Sequence, residues 1–481
     1  MPPIILRSPT YSNNKMLNKR NILLSMLSIA VLLVAAGCTK PERIRISTVK
    51  PEVALKDQLQ TFPFQRIQTL HLYSDTVYIL SDLFRREAGE ILIIEAGTLI
   101  KVNTTGPTGG ILDAGIIIEP GGIIDASGTS SEPIVFTSNA YTGTQRTSWN
   151  GLTIKGKSSD NASGLTGDAA DFSGTLKFAR VEFAPVIFTS VGNKTVVDHL
   201  QVSYSGPANS FEFQGGTLDA HHLISYACGG PADFYFTRGF SGNMQFLLAL
   251  RHPFFGTVSI NNPPFRTLTG LLIENNPDSL AATSAMPVTF PKLSNATVLG
   301  PDGQNGSAAA YSDTNLASAA ILTTRSSTFA IRNSILAGFP AAGWILDDPA
   351  TAVYFRDSVS SFSENILHSN TKERIVFLAP GTLPPYNNAE FTSYVLGNRC
   401  ANRSVAGTQA LKFSNPYDYN TRPDFLPGAS SPALEGARFN EPYFADIFFG
   451  KTEYVGAFGS VDWTEGWSNF LPLKTNYNFP Q

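Results

Sequence analysis

The sequence predicts an all-β solenoid, a parallel β-helix, and three observations carry that prediction. Short bursts of aliphatic and β-branched residues follow one another, each cut by Gly or Pro-Gly. The bursts recur as whole segments at a near-constant spacing, and no long apolar helical stretch follows Cys38. Helices need longer periodic segments than these, and the 40 glycines and 31 prolines suit a chain with many turns.

Taken in chain order, the first element is an export signal. Lys15, Lys19 and Arg20 form a basic start, an apolar run extends from Ile22 to Ala36, and V-A-A-G-C ends at Cys38. Small residues at Ala35, Ala36 and Gly37 let an extended strand pass through a signal peptidase. A cysteine directly after them is the lipoprotein form of that site. The run is about 15 residues, short of the roughly 20 that a spanning helix needs. Residues 1–37 are therefore expected to be removed and Cys38 to carry the lipid anchor, with two or more acyl chains for stable attachment. Residues 38–66, polar and interrupted by Pro41 and Pro51, read as the lipidated N-terminus and a tether.

The β-helix is expected over residues 67–398. I-L-I-I-E-A-G-T-L-I-K-V runs from Ile91 to Val102, and I-L-D-A-G-I-I-I-E-P-G-G-I-I-D-A-S-G from Ile111 to Gly128. P-I-V-F-T-S follows at Pro133, and G-L-T-I-K-G-K at Gly151. Residues from about Phe62 to Arg86 are expected to cover the first rung, with Asp75, Asp82, Arg85 and Arg86 as solvated surface. Further on, the segments around Val181, Leu200, Leu223, Leu247, Leu271 and Thr297 align with steps of 19, 23, 24, 24 and 26 residues. A near-constant step in this range marks a solenoid. A rung that short cannot bury its apolar face alone, whereas stacked rungs pair strand on strand at about 4.8 Å and bury like on like. Leu200, Leu223, Leu247 and Leu271 are expected to form one internal ladder. Turns also come often enough for a β-sandwich, so the repeat of whole segments is what separates the two folds.

After about Asn398 the repeat fades. Residues 399–481, with Y-V-G-A-F at Tyr454 and D-W-T-E-G-W at Asp462, read as a C-terminal closing segment folded back over the final coils, in which Trp463 and Trp467 plug a cap. Export to an oxidising compartment would allow Cys228 and Cys400 to pair; two isolated buried thiols are the expected alternative. The formal net charge is −3 and charged residues make up 15% of the chain, with no basic stripe, so nucleic acid is not an expected partner. A monomer is expected.

The chain resembles the secreted right-handed parallel β-helix (pectin-lyase-like) proteins of Gram-negative bacteria, many of them lipoproteins. The residues that carry the resemblance are L-I-I-E-A-G-T-L-I-K, then S-Y-S-G with F-E-F-Q-G-G-T-L-D-A, and the closing Y-V-G-A-F-G-S-V-D-W-T-E-G-W, and it runs from about Ile67 to Leu473. It implies a right-handed coil and an outer-membrane lipoprotein on the periplasmic or cell-surface face. In that group paired acidic residues precede the two aromatic segments, but here the text reads P-A-N-S-F-E-F and G-P-A-D-F-Y-F, leaving Glu212 and Asp233. Calcium wants about six to eight oxygens, so no metal or other cofactor is expected.

Catalysis has to be sought residue by residue, because the fold is shared with lyases and hydrolases. Asp347-Asp348 is present without a G-H-G or a rung-borne R-I-K. His199 and His222 hold matching places in D-H-L and H-H-L, with Asp198 beside them and Phe246 in the next rung. Such a stack could serve a metal or acid–base site; the plainer reading is a polar ladder facing solvent. No catalytic residue is assigned, and the weak binding candidates are Asp198, His199, His222, Glu212 and Asp233. The expected function is a membrane-anchored, non-catalytic lipoprotein whose flank binds or adheres to polysaccharide. The rival is a carbohydrate-active enzyme, a lyase or hydrolase of acidic polysaccharide.

Overall fold

The computed structural model describes residues 50–61, 65–139, 149–163, 166–252, 268–278, 284–301, 319–339, 342–369, 375–377 and 387–477. Cys38 and the expected export signal lie outside them. Among the described residues, strands assemble into a 17-stranded and a 10-stranded sheet, with rung-to-rung pairing parallel throughout. The fold is the expected right-handed parallel β-helix.

Each early rung gives the first sheet two short strands, such as Ile91–Ile94 and Leu99–Val102, separated by a turn with Gly97 at φ +78°. Farther along, Ile123–Ser127 and Ile134–Ser138 both pair with the single strand Gly174–Glu182. From there on, one left-handed residue does the work of the turn. Phe178, His199, His222, Phe246, Asn295, Asn333, Glu364 and Ala401 all have φ between 46° and 61°. The register places them above one another, because Lys177 pairs with Asp198 and Ala179 with Leu200, and so on up the sheet.

The inward rows are aliphatic on the first sheet and mixed on the second, where Phe188, Phe211, Phe213, Phe234 and Phe236 fill the middle rungs. Leu200, Leu223 and Leu247 stack as expected, but the rows above and below correct the ladder. Leu200 meets Ala179 and Leu247 meets Ala296, while Val181 pairs with Val202 and Thr297 with Leu248. Leu271 belongs to the second sheet, between Phe234 and Ile321. Each middle rung carries two apolar bursts, one per sheet, and the rung from Leu247 to Ala296 is long enough that its second-sheet burst falls where the next first-sheet burst was expected.

The two ends are also closed differently from expectation. Thr69–Leu72, Val77–Leu80 and Leu83–Arg86 are full rung strands. The cover lies inside the stretch assigned to the tether: Glu52–Ala54 pairs with Val77–Leu80, and the short turn Leu55–Gln58 inserts Leu55 into the core. Arg86 is fully buried rather than solvated, donating to the carbonyls of Ile67 (2.7 Å), Gln68 (2.5 Å) and Ile91 (3.2 Å). At the far end, helices Pro349–Arg356 and Asn388–Val395 bring Phe355 and Phe391 against Trp344. Asp348 is the first helix's N-cap, accepting from the Thr351 amide at 2.8 Å.

The closing segment reaches much farther than the final coils. It runs back along the outer face of the first sheet, and polar side chains of the rungs grip its backbone. Asn333 donates to the carbonyl of Arg438 at 2.9 Å, and Asn295 to those of Tyr454 and Gly456. The Gln245 amide makes a reciprocal pair with the Gly450 backbone (2.7 and 2.8 Å), and Gln201 does the same with Asn469 (2.8 and 2.7 Å). Beneath this strap the outward side chains Ile224, Leu248, Ile335 and Ile366 form a second core with Phe425, Val455, Phe458, Trp467 and Phe470. Trp467 thus covers a flank rather than plugging an end.

The ladder makes a testable distinction. Leu223→Asp puts a charge between two stacked rungs and is expected to lower stability by several kcal/mol, read as a large drop in Tm. Val196→Asp, on the same sheet but 40% exposed, is expected to leave Tm within a few degrees of the parent. Equal melting of the two would contradict the inward row.

Candidate functional site

In a regular strand Asp198 and His199 would face opposite sides of the sheet. The left-handed backbone at His199 (φ 55°) breaks that alternation and turns both outward. His222 (φ 53°) does the same one rung later, beside His221. The two imidazoles therefore stack with ring centroids 4.2 Å apart. Phe178 lies 4.3 Å below His199 and Phe246 lies 4.9 Å above His222, so four rings form one column.

Asp198 sits at the edge of this column. His222 donates from Nδ1 to Asp198 Oδ1 at 2.8 Å, and His199 Nδ1 lies 2.8 Å from the same oxygen. This bond assigns His222 the tautomer with its proton on Nδ1. Burial works to raise the Asp198 pKa, but the hydrogen bonds and charges of the two histidines outweigh it and hold the carboxyl well below the usual range. Burial pushes His222 down against the pull of Asp198, and pushes His221 down with help from His222.

The strap roofs the cluster. Trp463 lies 5.0 Å from His222, and Trp467 meets His199 edge-on at 5.5 Å. His221 stacks on Phe448 at 4.0 Å and bonds its carbonyl. The side chains of His199, His222 and Asp198 stay 16%, 22% and 28% exposed. The ladder is therefore not a bare row facing solvent but a half-covered aromatic column with a carboxylate at its rim. Among the described residues, these three form the one His/Cys/Asp/Glu group with donor atoms close enough to share a metal ion.

The other two candidates lie elsewhere. Glu212 projects from the outer face of the second sheet, held by Asn209 Nδ2 at 2.9 Å and Gln214 Nε2 at 2.6 Å. Asp233 is fully buried. Its Oδ2 accepts from Arg251 Nε at 2.8 Å and its Oδ1 from the Ser225 hydroxyl at 2.6 Å, while Arg251 also reaches the carbonyls of Gly230 and Thr269. Burial pushes the Asp233 carboxyl up against the opposing pull of Arg251 and Ser225. It is a structural ion pair, which corrects its place among binding candidates. Cys228 and Cys400 are separate buried thiols.

Sequence reasoning missed two features around these residues. Arg251 as partner of Asp233 had no signal, because the pairing is made across a turn. The approach of Trp463 to His222 had none either, because it depends on the path of the strap. The common left-handed corner was accessible from the matching D-H-L and H-H-L segments.

No curated protein and no solved structure matches the chain. A model of the pectate-lyase-like β-helix domain matches residues 65–376, which spans the rungs from Thr69–Leu72 into the last strand of the second sheet, Ile375–Phe377. The chain belongs to the pectate-lyase-like β-helix domain family.

Proposed function

We propose that this protein is a lipid-anchored, non-catalytic polysaccharide-binding protein of a Gram-negative outer membrane, and that it binds through the outer face of its second sheet. Membership in the pectate-lyase-like family supports a carbohydrate-related role. The observation that carries the choice of face is the contrast between the two flanks. In the later rungs the strap buries outward side chains of the first sheet, Ile224, Leu248, Ile335 and Ile366 among them. On the second sheet the outward row Arg85, Ile117, Thr153, Ile187, Glu212, Tyr235 and Leu272, one residue per rung, remains partly exposed. A row repeated at about 4.8 Å offers a polymer similar contacts at each step, and Tyr235 adds a ring face to it.

Binding is favoured over cleavage by how the acids on this face are held. Glu119 pairs with Arg85 and with Lys155 (3.1 Å). Glu212 is held by two amides, and Glu274 accepts from Tyr235 and pairs with Arg325 at 2.9 Å. A glycoside hydrolase needs two carboxyls placed to work on one bond, one of them free to exchange a proton. These carboxylates are instead tied up by neighbours, Glu119 and Glu274 in ion pairs and Glu212 in amide hydrogen bonds.

The full chain, incubated with a panel of acidic and neutral polysaccharides, is expected to bind at least one without changing it, and Tyr235→Ala is expected to weaken that binding about fivefold, from the loss of an aromatic contact of roughly 1 kcal/mol. New reducing ends or ultraviolet-absorbing unsaturated products would establish the carbohydrate-active enzyme instead. The anchor is tested separately: Cys38→Ala is expected to leave the membrane fraction or to stall before processing. Unchanged fractionation would refute lipidation at Cys38.

A further inference from the structure

We propose that Asp198, His199 and His222 form a binding site for a single borderline divalent transition-metal ion of the Zn²⁺ or Cu²⁺ class. The inference does not depend on the polysaccharide reading, which concerns the other sheet. Three donor atoms of the right kind, two imidazole nitrogens and one carboxylate oxygen, lie within 4.8 Å of one another. Both nitrogens are already 2.8 Å from the oxygen. Bonds of about 2.0–2.2 Å in a tetrahedral set place ligand atoms roughly 3.3–3.5 Å apart, so each nitrogen needs to part from the oxygen by only about half an ångström, while the two rings tilt to aim both nitrogens at the ion. The Nδ1 proton that His222 now gives to Asp198 shifts to Nε2, and the ion takes its place between nitrogen and oxygen.

Two further features suit the site to an ion. The rings are held from both sides, by Phe178 below and Phe246 above, so the donors are largely placed in advance. The three side chains are mostly covered but not sealed, at 16%, 22% and 28% exposed, and a water or other small ligand would complete the set. Two nitrogens and one oxygen select the borderline ions; calcium wants about six to eight oxygens and finds one acidic side chain here.

The column also supplies variants that remove a donor without removing a ring. Phe178 and Phe246 occupy the same left-handed corner as the histidines, so His199→Phe and His222→Phe keep the stack and lose the ligand. Metal-free full chain, titrated with Zn²⁺ in a calorimeter, is expected to bind one equivalent. Both Phe variants and Asp198→Ala are expected to weaken that binding at least tenfold, with Tm in the absence of metal preserved in the Phe variants. Ca²⁺ is expected to give no saturable signal. Co²⁺ provides a second readout, since its visible absorption bands are expected to appear with the parent chain and vanish with His222→Phe. Absence of a stoichiometric event with both Zn²⁺ and Cu²⁺, or equal affinity in parent and His222→Phe, would overturn the assignment.

Discussion

Rung-on-rung pairing governs this molecule: each strand bonds to the same strand one turn of chain away, so every side chain meets its counterpart at about 4.8 Å. That spacing makes like stack on like. Phe211 lies 5.1 Å from Phe234 and Phe213 lies 5.1 Å from Phe236 inside the second sheet, each pair nearly coplanar in orientation. The same constraint extends to the corners. A left-handed backbone costs a residue with a side chain about 1–2 kcal/mol, yet eight consecutive rung corners adopt it. One such residue bends a strand while the arms on either side stay paired, and stacked rings or amides offset part of the strain.

Stacking solves the inside of the solenoid and leaves a problem outside. Alternation along Leu223–Ile224 and Leu247–Leu248 sends every second apolar residue outward, and without cover that row would be exposed. The returning strap covers it. It does so without adding a strand, because the side chains of Gln201, Gln245, Asn295 and Asn333 bond its backbone directly. A charged clasp at Arg332, which reaches Glu441 at 2.6 Å and Glu364 at 3.0 Å, fixes the strap near the far end. The consequence for the histidine column is a roof of indole and phenyl rings, which turns a surface ladder into a half-enclosed site. The other sheet keeps its outward row in reach of solvent, so the two flanks have different chemistry from one repeating plan.

How much of the site could be read in advance depended on whether its partners were neighbours in the repeat. His199 and His222 were legible because D-H-L and H-H-L align a rung apart. That both imidazoles meet a single oxygen of Asp198 was not, since it requires the left-handed corner that puts Asp198 and His199 on one side. Glu212 lies between two inward phenylalanines, and alternation alone turns it outward. Asp233 has the same pattern before Phe234 and should be exposed on that logic. Arg251, 18 residues on in the chain, closes over it and makes the opposite true. Arg86 escaped for a similar reason: alternation with Phe84 turns it inward, and the carbonyls of Ile67, Gln68 and Ile91 that accept from its guanidinium at the first rung are not legible in the local sequence.

The sequence by itself determined the coil, because the composition of each burst and its return after roughly one rung are local properties that only stacked parallel strands can bury together. It also determined which leucines would meet wherever rung length stayed regular, as in Leu200, Leu223 and Leu247. Only the tertiary structure decided where the last part of the chain would lie, which flank it would cover and which polar groups would be buried. Those outcomes rest on contacts between residues separated by hundreds of positions, such as Gln201 with Asn469 or Arg180 with Trp467. No local periodicity encodes such contacts; they follow from the shape that the stacked rungs present once they have formed.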